Sequence, residues 1–190
     1  MHFKRTIAAV LAFTYAHAAA PDLSEKFFND PGKVIVFFGD SITANGGYIN
    51  ALKALLLKKF PAMKAVVINR GKSSETVAGL TESDHPGPRP LLFDRLADEL
   101  KTHNPDLIFA CYGMNDGIYH PYGEVRMAPY RDGINKLLAE AAKISAPVIL
   151  LTPPPFDSLG GLSKLKSEPP YGYKTPYKNY DSVLTAYGQW

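Results

Sequence analysis

Short apolar runs alternate with longer amphipathic stretches along this chain. Val34-Ile35-Val36-Phe37-Phe38, Val66-Val67-Ile68, Leu107-Ile108-Phe109-Ala110-Cys111 and Val148-Ile149-Leu150-Leu151 (after Pro147) are of strand length and rich in β-branched and aromatic residues, as buried strands are. The stretches between them read as helices over 48–59, 88–102 and 129–144. Leu91, Leu92, Leu96 and Leu100 recur at spacings that give the second of these one buried face. Another helix is expected to begin at Asp181. Strand–helix alternation with no internal repeat predicts one domain of the α/β class: a flavodoxin-like, three-layer α/β/α arrangement around a central parallel sheet with right-handed crossovers.

The residues that end these runs carry the candidate chemistry. The first runs into Gly39-Asp40-Ser41-Ile42-Thr43, the second into Asn69-Arg70-Gly71, and the third into Gly113-Met114-Asn115-Asp116. In a parallel sheet such ends meet in one crevice, where open α/β folds place their ligands. A serine is a poor nucleophile until a base takes its proton and fixed donors stabilise the developing oxyanion. Ser41 is the candidate nucleophile, and a helix starting near Gly47-Tyr48 would point its positive end toward it. The Ser41 N–H, the Gly71 N–H and the Asn115 amide form a candidate oxyanion hole. Asp40, next to Ser41, is expected to hold the turn by accepting N–H bonds; its rival role as the base is disfavoured because neighbouring side chains on an extended turn point apart. Asp-Ser after a strand is also an ordinary turn or N-cap, so the nucleophile reading needs the other two segments.

In order and spacing, these three blocks resemble the first three sequence blocks of the SGNH (GDSL-type) esterases and lipases, over about Val34 to Leu151. The resemblance implies Ser41 as nucleophile, with Ser41, Gly71 and Asn115 as the oxyanion hole. It also implies a fourth block, Asp-x-x-His-Pro, that supplies the base, and this chain contains no Asp-x-x-His. His120-Pro121 follows Asp116 one residue too late; His120 remains an alternative base, though a loop-lining role fits it better. His85 stands in the Pro/Gly-rich stretch 83–88, and His103 reads as the solvated end of a helix, where a cation is favourable. The expectation is therefore a fragment missing its last strand, base and closing helix, nearly inactive by itself, with a pseudoenzyme as the other alternative.

Outside the crevice, residues 1–20 have the layout of a signal peptide: Lys4-Arg5, an apolar stretch around Ile7 to Tyr15 too short to span a bilayer, then Ala16-His17-Ala18. A secreted or periplasmic protein follows, with the domain over 21–190 and no stable membrane insertion once the leader is cleaved. The net charge of +3 comes from scattered Lys and Arg, which is not a nucleic-acid footprint. The single cysteine, Cys111, allows no intrachain disulfide and reads as a buried strand residue. Residues 152–180 are dense in Pro and Tyr, and so long a loop reads as a lid or insert; its rings suit a sugar or an apolar acyl group as well as simple packing.

Three function classes stand: an ester hydrolase working through a Ser41 acyl-enzyme on a small ester or acylated carbohydrate; a ligand- or carbohydrate-binding module that keeps the crevice without catalysis; and a flavodoxin-like cofactor binder. The last is disfavoured because Asp40 presents a carboxylate where a phosphate would sit. No cofactor and no metal is expected.

Overall fold

Each of the four apolar runs becomes a strand, and neighbouring strands pair in parallel. The structure, a computed structural model, is described over residues 22–158 and 164–190; the expected leader over 1–20 and the Gly160-Gly161 pair lie outside these residues. In chain order the elements are α1 (Glu25–Asn29), β1 (Val34–Gly39), α2 (Ser41–Asn45), α3 (Gly47–Lys59), β2 (Val66–Gly71), α4 (Leu96–His103), β3 (Leu107–Cys111), α5 (Glu124–Lys143), β4 (Val148–Leu151) and α6 (Tyr180–Gln189). The sheet order is β2-β1-β3-β4, which puts the very apolar β1 between two partners.

Strand side chains alternate between faces, and each face has its own helical cover. Val36, Phe38, Ile108 and Ala110 share a core with Leu96 and Leu100 of α4, Ile134 and Leu137 of α5, and Val183 and Leu184 of α6. Ile35, Phe37 and Leu107 face the other way, onto Phe27 and Phe28 of α1, Ile49 of α3 and Phe60. The result is the expected α/β/α three-layer fold.

Three elements differ from the sequence expectation. The predicted helix over 88–102 begins only at Leu96. Before it, the Thr76 N–H donates to the Pro90 carbonyl and the Leu92 N–H to the Thr76 carbonyl, both at 3.0 Å, so this segment bridges to the loop after β2. A single 3₁₀ turn, Leu92–Asp94, then leads into α4. Leu92, Leu96 and Leu100 are buried as expected, whereas Leu91 is half-buried in the bridge. The helix expected to start at Pro129 starts at Glu124 and carries Pro129 inside it; the proline forfeits one bond, to the carbonyl of the largely exposed residue Val125. The five-residue helices α1 and α2 are too short to show periodicity and are set by their caps: Ser24 Oγ accepts from the Phe27 N–H and Asp40 Oδ1 from the Ile42 N–H.

One buried ion cluster ties β2, its following loop and α4 together. The Glu75 side chain is fully buried; Arg95 grips its carboxylate at 2.7 and 2.6 Å, and the Tyr112 hydroxyl donates to it at 2.7 Å. Arg95 also donates to the Arg70 carbonyl at 2.7 Å and to Glu99 at 3.2 Å. Removing one partner of such a pair strands a charge. Arg95→Met is expected to cost about 3–5 kcal/mol in urea unfolding, and the double variant Glu75→Leu/Arg95→Met to cost less than this single change.

Candidate active site

The carboxyl ends of β2, β1 and β3 lie side by side, with Gly39 of β1 paired to Gly71 on one side and Cys111 on the other. Ser41 follows β1 directly and is the first residue of α2; its side chain is exposed. The helix whose N-terminus it occupies is thus α2 rather than α3, and Gly46, at φ 79°, separates the two. The Ser41 N–H has no acceptor among the described residues, so it can donate to an incoming group. Asp40 does cap the turn: Oδ1 takes the Ile42 N–H at 2.9 Å, and only 3% of the residue is exposed. Burial pushes its carboxyl up to about 6, against the Ile42 hydrogen bond and the charge of Arg89, which pull it down.

Gly71 closes β2 beneath α2. A Cβ there would overlap the backbone of Thr43 and Ala44, so only glycine lets the helix approach this closely. Its N–H donates to Asn69 Oδ1 at 2.9 Å, while Asn69 Nδ2 donates to the Thr43 carbonyl at 2.7 Å. The N–H proposed from sequence for an oxyanion is therefore engaged in clamping the end of β2 to α2.

Asn115, buried beyond the end of β3, is brought to the loop after β2. Its Nδ2 donates to the Glu75 carbonyl at 3.3 Å, and its Oδ1 accepts from the Tyr119 hydroxyl at 3.1 Å, which fixes the orientation of the amide. The adjacent Asp116 is fully buried and structural: Oδ1 takes the N–H groups of Val77 and Ala78 at 2.8 and 2.9 Å, and Oδ2 that of Gly113 at 2.8 Å. Burial pushes this carboxyl, too, up to about 6.

Sequence reasoning missed Ser74. It sits at φ 64°, in the left-handed region that a residue with a Cβ seldom adopts, and its N–H has no acceptor among the described residues. Arg89 Nη1 holds its carbonyl at 3.3 Å, and Arg89 is itself locked to Glu82 in a buried pair, with Nε donating to Oε2 at 2.7 Å. Nothing in the local composition marks this serine: the backbone angle and both anchors exist only once the 82–89 segment has folded over it.

The histidines divide. No histidine lies within hydrogen-bond distance of the Ser41 hydroxyl among the described residues. His120 packs edge-on against Tyr171 at 5.5 Å, and burial lowers its pKa, with Arg126 adding to the effect. His103 ends α4, 3.3 Å from Glu99. His85 bonds to Ser74 Oγ at 3.1 Å and stacks edge-on against Tyr173 at 5.7 Å. Tyr171 and Tyr173 belong to the Pro/Tyr-rich segment, whose described part lies over the 82–89 and 115–121 loops. There the Tyr177 N–H donates to the Tyr119 carbonyl at 2.9 Å and the Lys174 N–H to Asp84 Oδ2 at 3.1 Å. Cys111 is buried, and burial pushes its thiol up to about 12. Among the described residues no helix is long and apolar enough to cross a membrane.

Solved structures share this architecture at low identity. Axe2, an acetylxylan esterase from Geobacillus stearothermophilus, superposes with a TM-score of 0.56 at 22% identity over 83% of this chain and 69% of that one. TesA gives 0.53 at 19% identity, over 82% and 70% respectively. The psychrotrophic esterase EstA from a Pseudoalteromonas species gives 0.50 at 18%, over 83% and 70%. No curated protein matches the chain. At these identities the likeness establishes the class of fold, the three-layer α/β/α fold of these proteins. Residues 37–173 match the model of the GDSL-like lipase/acylhydrolase family, and the chain belongs to that family.

Asp40 and Asp116 give the site a pH signature. A carboxyl with a folded pKa above its unfolded value binds protons more tightly in the fold. The fold is therefore favoured in acid and loses that contribution as pH rises from about 4 through about 6. Asn caps as well as Asp but does not titrate. Asp40→Asn is expected to gain stability relative to the parent, on the order of 2 kcal/mol, between about pH 4 and about pH 7 in urea unfolding; a constant difference across that range would refute the assignment.

Proposed function

We propose that this chain is a secreted serine ester hydrolase of the GDSL type that removes small acyl groups, acetate among them, from carbohydrate. The observation that carries the reading is the family match over residues 37–173, which spans the exposed Ser41 and the oriented Asn115 amide at the same sheet end. Secretion is supported by the layout of residues 1–20, and the acyl-carbohydrate substrate by the neighbour Axe2, an acetylxylan esterase.

In this reading the Ser41 hydroxyl attacks the ester carbonyl and the negative charge collects on the carbonyl oxygen. The Ser41 N–H and Asn115 Nδ2 are the first two donors to that oxygen. We place the third at the Ser74 N–H, which has no acceptor among the described residues, rather than at Gly71, whose N–H would have to leave Asn69. Asp40 supports the turn by capping α2. His120, favoured in its neutral form by burial, is the base that the sequence offers as an alternative. The second reading is a catalytically incomplete fragment or pseudoenzyme that binds acylated carbohydrate without cleaving it; the contact that motivates it is His85, which bonds to Ser74 rather than to Ser41.

A fluorophosphonate separates the two. Catalysis predicts an adduct on Ser41, located by peptide mass spectrometry, and acetate release from acetylated xylan that falls at least about 10³-fold in Ser41→Ala. Asp40→Asn retains measurable release. An unmodified Ser41 with xylan binding but no acetate release would establish the binding module instead.

A further inference from the structure

The described residues do contain a serine hydrogen-bonded to a histidine, and the serine is not Ser41. His85 Nδ1 lies 2.7 Å from the Gly87 carbonyl oxygen, and His85 Nε2 lies 3.1 Å from Ser74 Oγ. A carbonyl oxygen can only accept, so Nδ1 carries the proton. In the neutral ring Nε2 then presents a lone pair, and the Ser74 hydroxyl donates to it. Hydroxyl, base and orienting acceptor stand in the relation that activates a serine, with a backbone carbonyl as the orienter.

Three independent features separate this pair from an ordinary loop contact. Ser74 is held at φ 64°, and non-glycine residues kept in that region cluster at functional sites because the surroundings must over-determine them. Here the surroundings do so: Arg89, locked in its buried pair with Glu82, fixes the Ser74 carbonyl, and Glu75, the next residue, is gripped by Arg95. One donor belongs to the serine itself, since the Ser74 N–H has no acceptor among the described residues, and Asn115 Nδ2 reaches the carbonyl of the next residue, Glu75, at 3.3 Å. Both residues also remain reachable: Ser74 and His85 are half-buried, and Tyr173 meets the imidazole edge-on at 5.7 Å.

We infer that Ser74 and His85 form a second reactive serine at this crevice, one that accepts acyl or phosphonyl groups from small activated esters. Ser74 Oγ bonds to the ester carbonyl carbon while its proton passes to His85 Nε2. As the carbon–alkoxy bond breaks, His85 returns that proton to the leaving alkoxide. Water then attacks the Ser74 ester, giving its proton to His85, and the serine is restored as the carboxylic acid departs. The inference does not rest on Ser41 acting as nucleophile.

The test uses the full chain carrying Ser41→Ala, treated with a fluorophosphonate, with the adduct located by peptide mass spectrometry. The adduct is expected on Ser74. It is expected to vanish when Ser74→Gly is added, a change that removes the hydroxyl yet keeps the N–H and suits the left-handed backbone. Adding His85→Gln instead should slow its formation at least about 100-fold with the melting temperature held; His85→Asn repeats the measurement should the Gln variant fail to fold. An unmodified Ser74 in the Ser41→Ala protein, or an adduct that forms as fast without His85, overturns the inference. Failure of the Ser41 reading shows itself separately, as an unmodified Ser41 in the protein of native sequence.

Discussion

The buried carboxylate of Glu75 is the constraint on which the crevice depends. A charge taken wholly out of water is tolerable only when paired and hydrogen-bonded, and Glu75 satisfies this with the Arg95 fork and the Tyr112 hydroxyl. Those partners come from the approach to α4 and from the end of β3, so the cluster cannot form until the two βα units that flank β1 have docked. Once formed, it fixes the residue whose carbonyl Asn115 reads and, one step back, Ser74. The buried Arg89–Glu82 pair repeats the device on the other side of Ser74. Charges that cost desolvation are spent here on holding a loop in a conformation that it would not keep alone.

Close backbone approach is the second constraint. Gly71 lies under α2 and Gly133 of α5 under Val77, and at both positions a Cβ would overlap backbone of the facing segment. These two contacts press the turn that carries Ser41 and the segment after Ser74 against the sheet ends and α5. Asn69 then works as a clamp between β2 and α2, holding the Gly71 N–H with its Oδ1 and the Thr43 carbonyl with its Nδ2. Asp116 does the same for the loop after β3, gathering three N–H groups that would otherwise be buried without partners.

The described part of the Pro/Tyr-rich segment is held by ring contacts as well as by backbone bonds such as Lys166 N–H to the Pro176 carbonyl at 2.8 Å. Tyr119 stacks on Tyr180 at 5.0 Å and Phe156 meets Tyr180 edge-on at 5.5 Å, while Tyr171 contacts both His120 and Tyr177. Aromatic packing of this kind places two of the chain's histidines beneath one segment and partly shields them from water. For His120 the consequence is a lowered pKa, and for His85 an edge-on contact with Tyr173 at 5.7 Å.

The sequence by itself determined the strands, the parallel sheet and the position of Ser41, because buried β-strands announce themselves as apolar runs and a turn residue directly follows its strand in the chain. The family blocks were legible for the same reason: each is a local word at a strand end. The bridge formed by Thr76, Pro90 and Leu92 was not legible, since leucines at helical spacing look alike whether the segment winds or pairs with a distant one. Nor was the commitment of the Gly71 N–H, which depends on an asparagine side chain turning back two residues. Least legible was Ser74: its positive φ, its anchored carbonyl and its hydrogen bond to His85 are made by residues 11 to 15 positions away. Those pairings are decided by which loop folds over which sheet end, and no local pattern of apolar and polar residues encodes that.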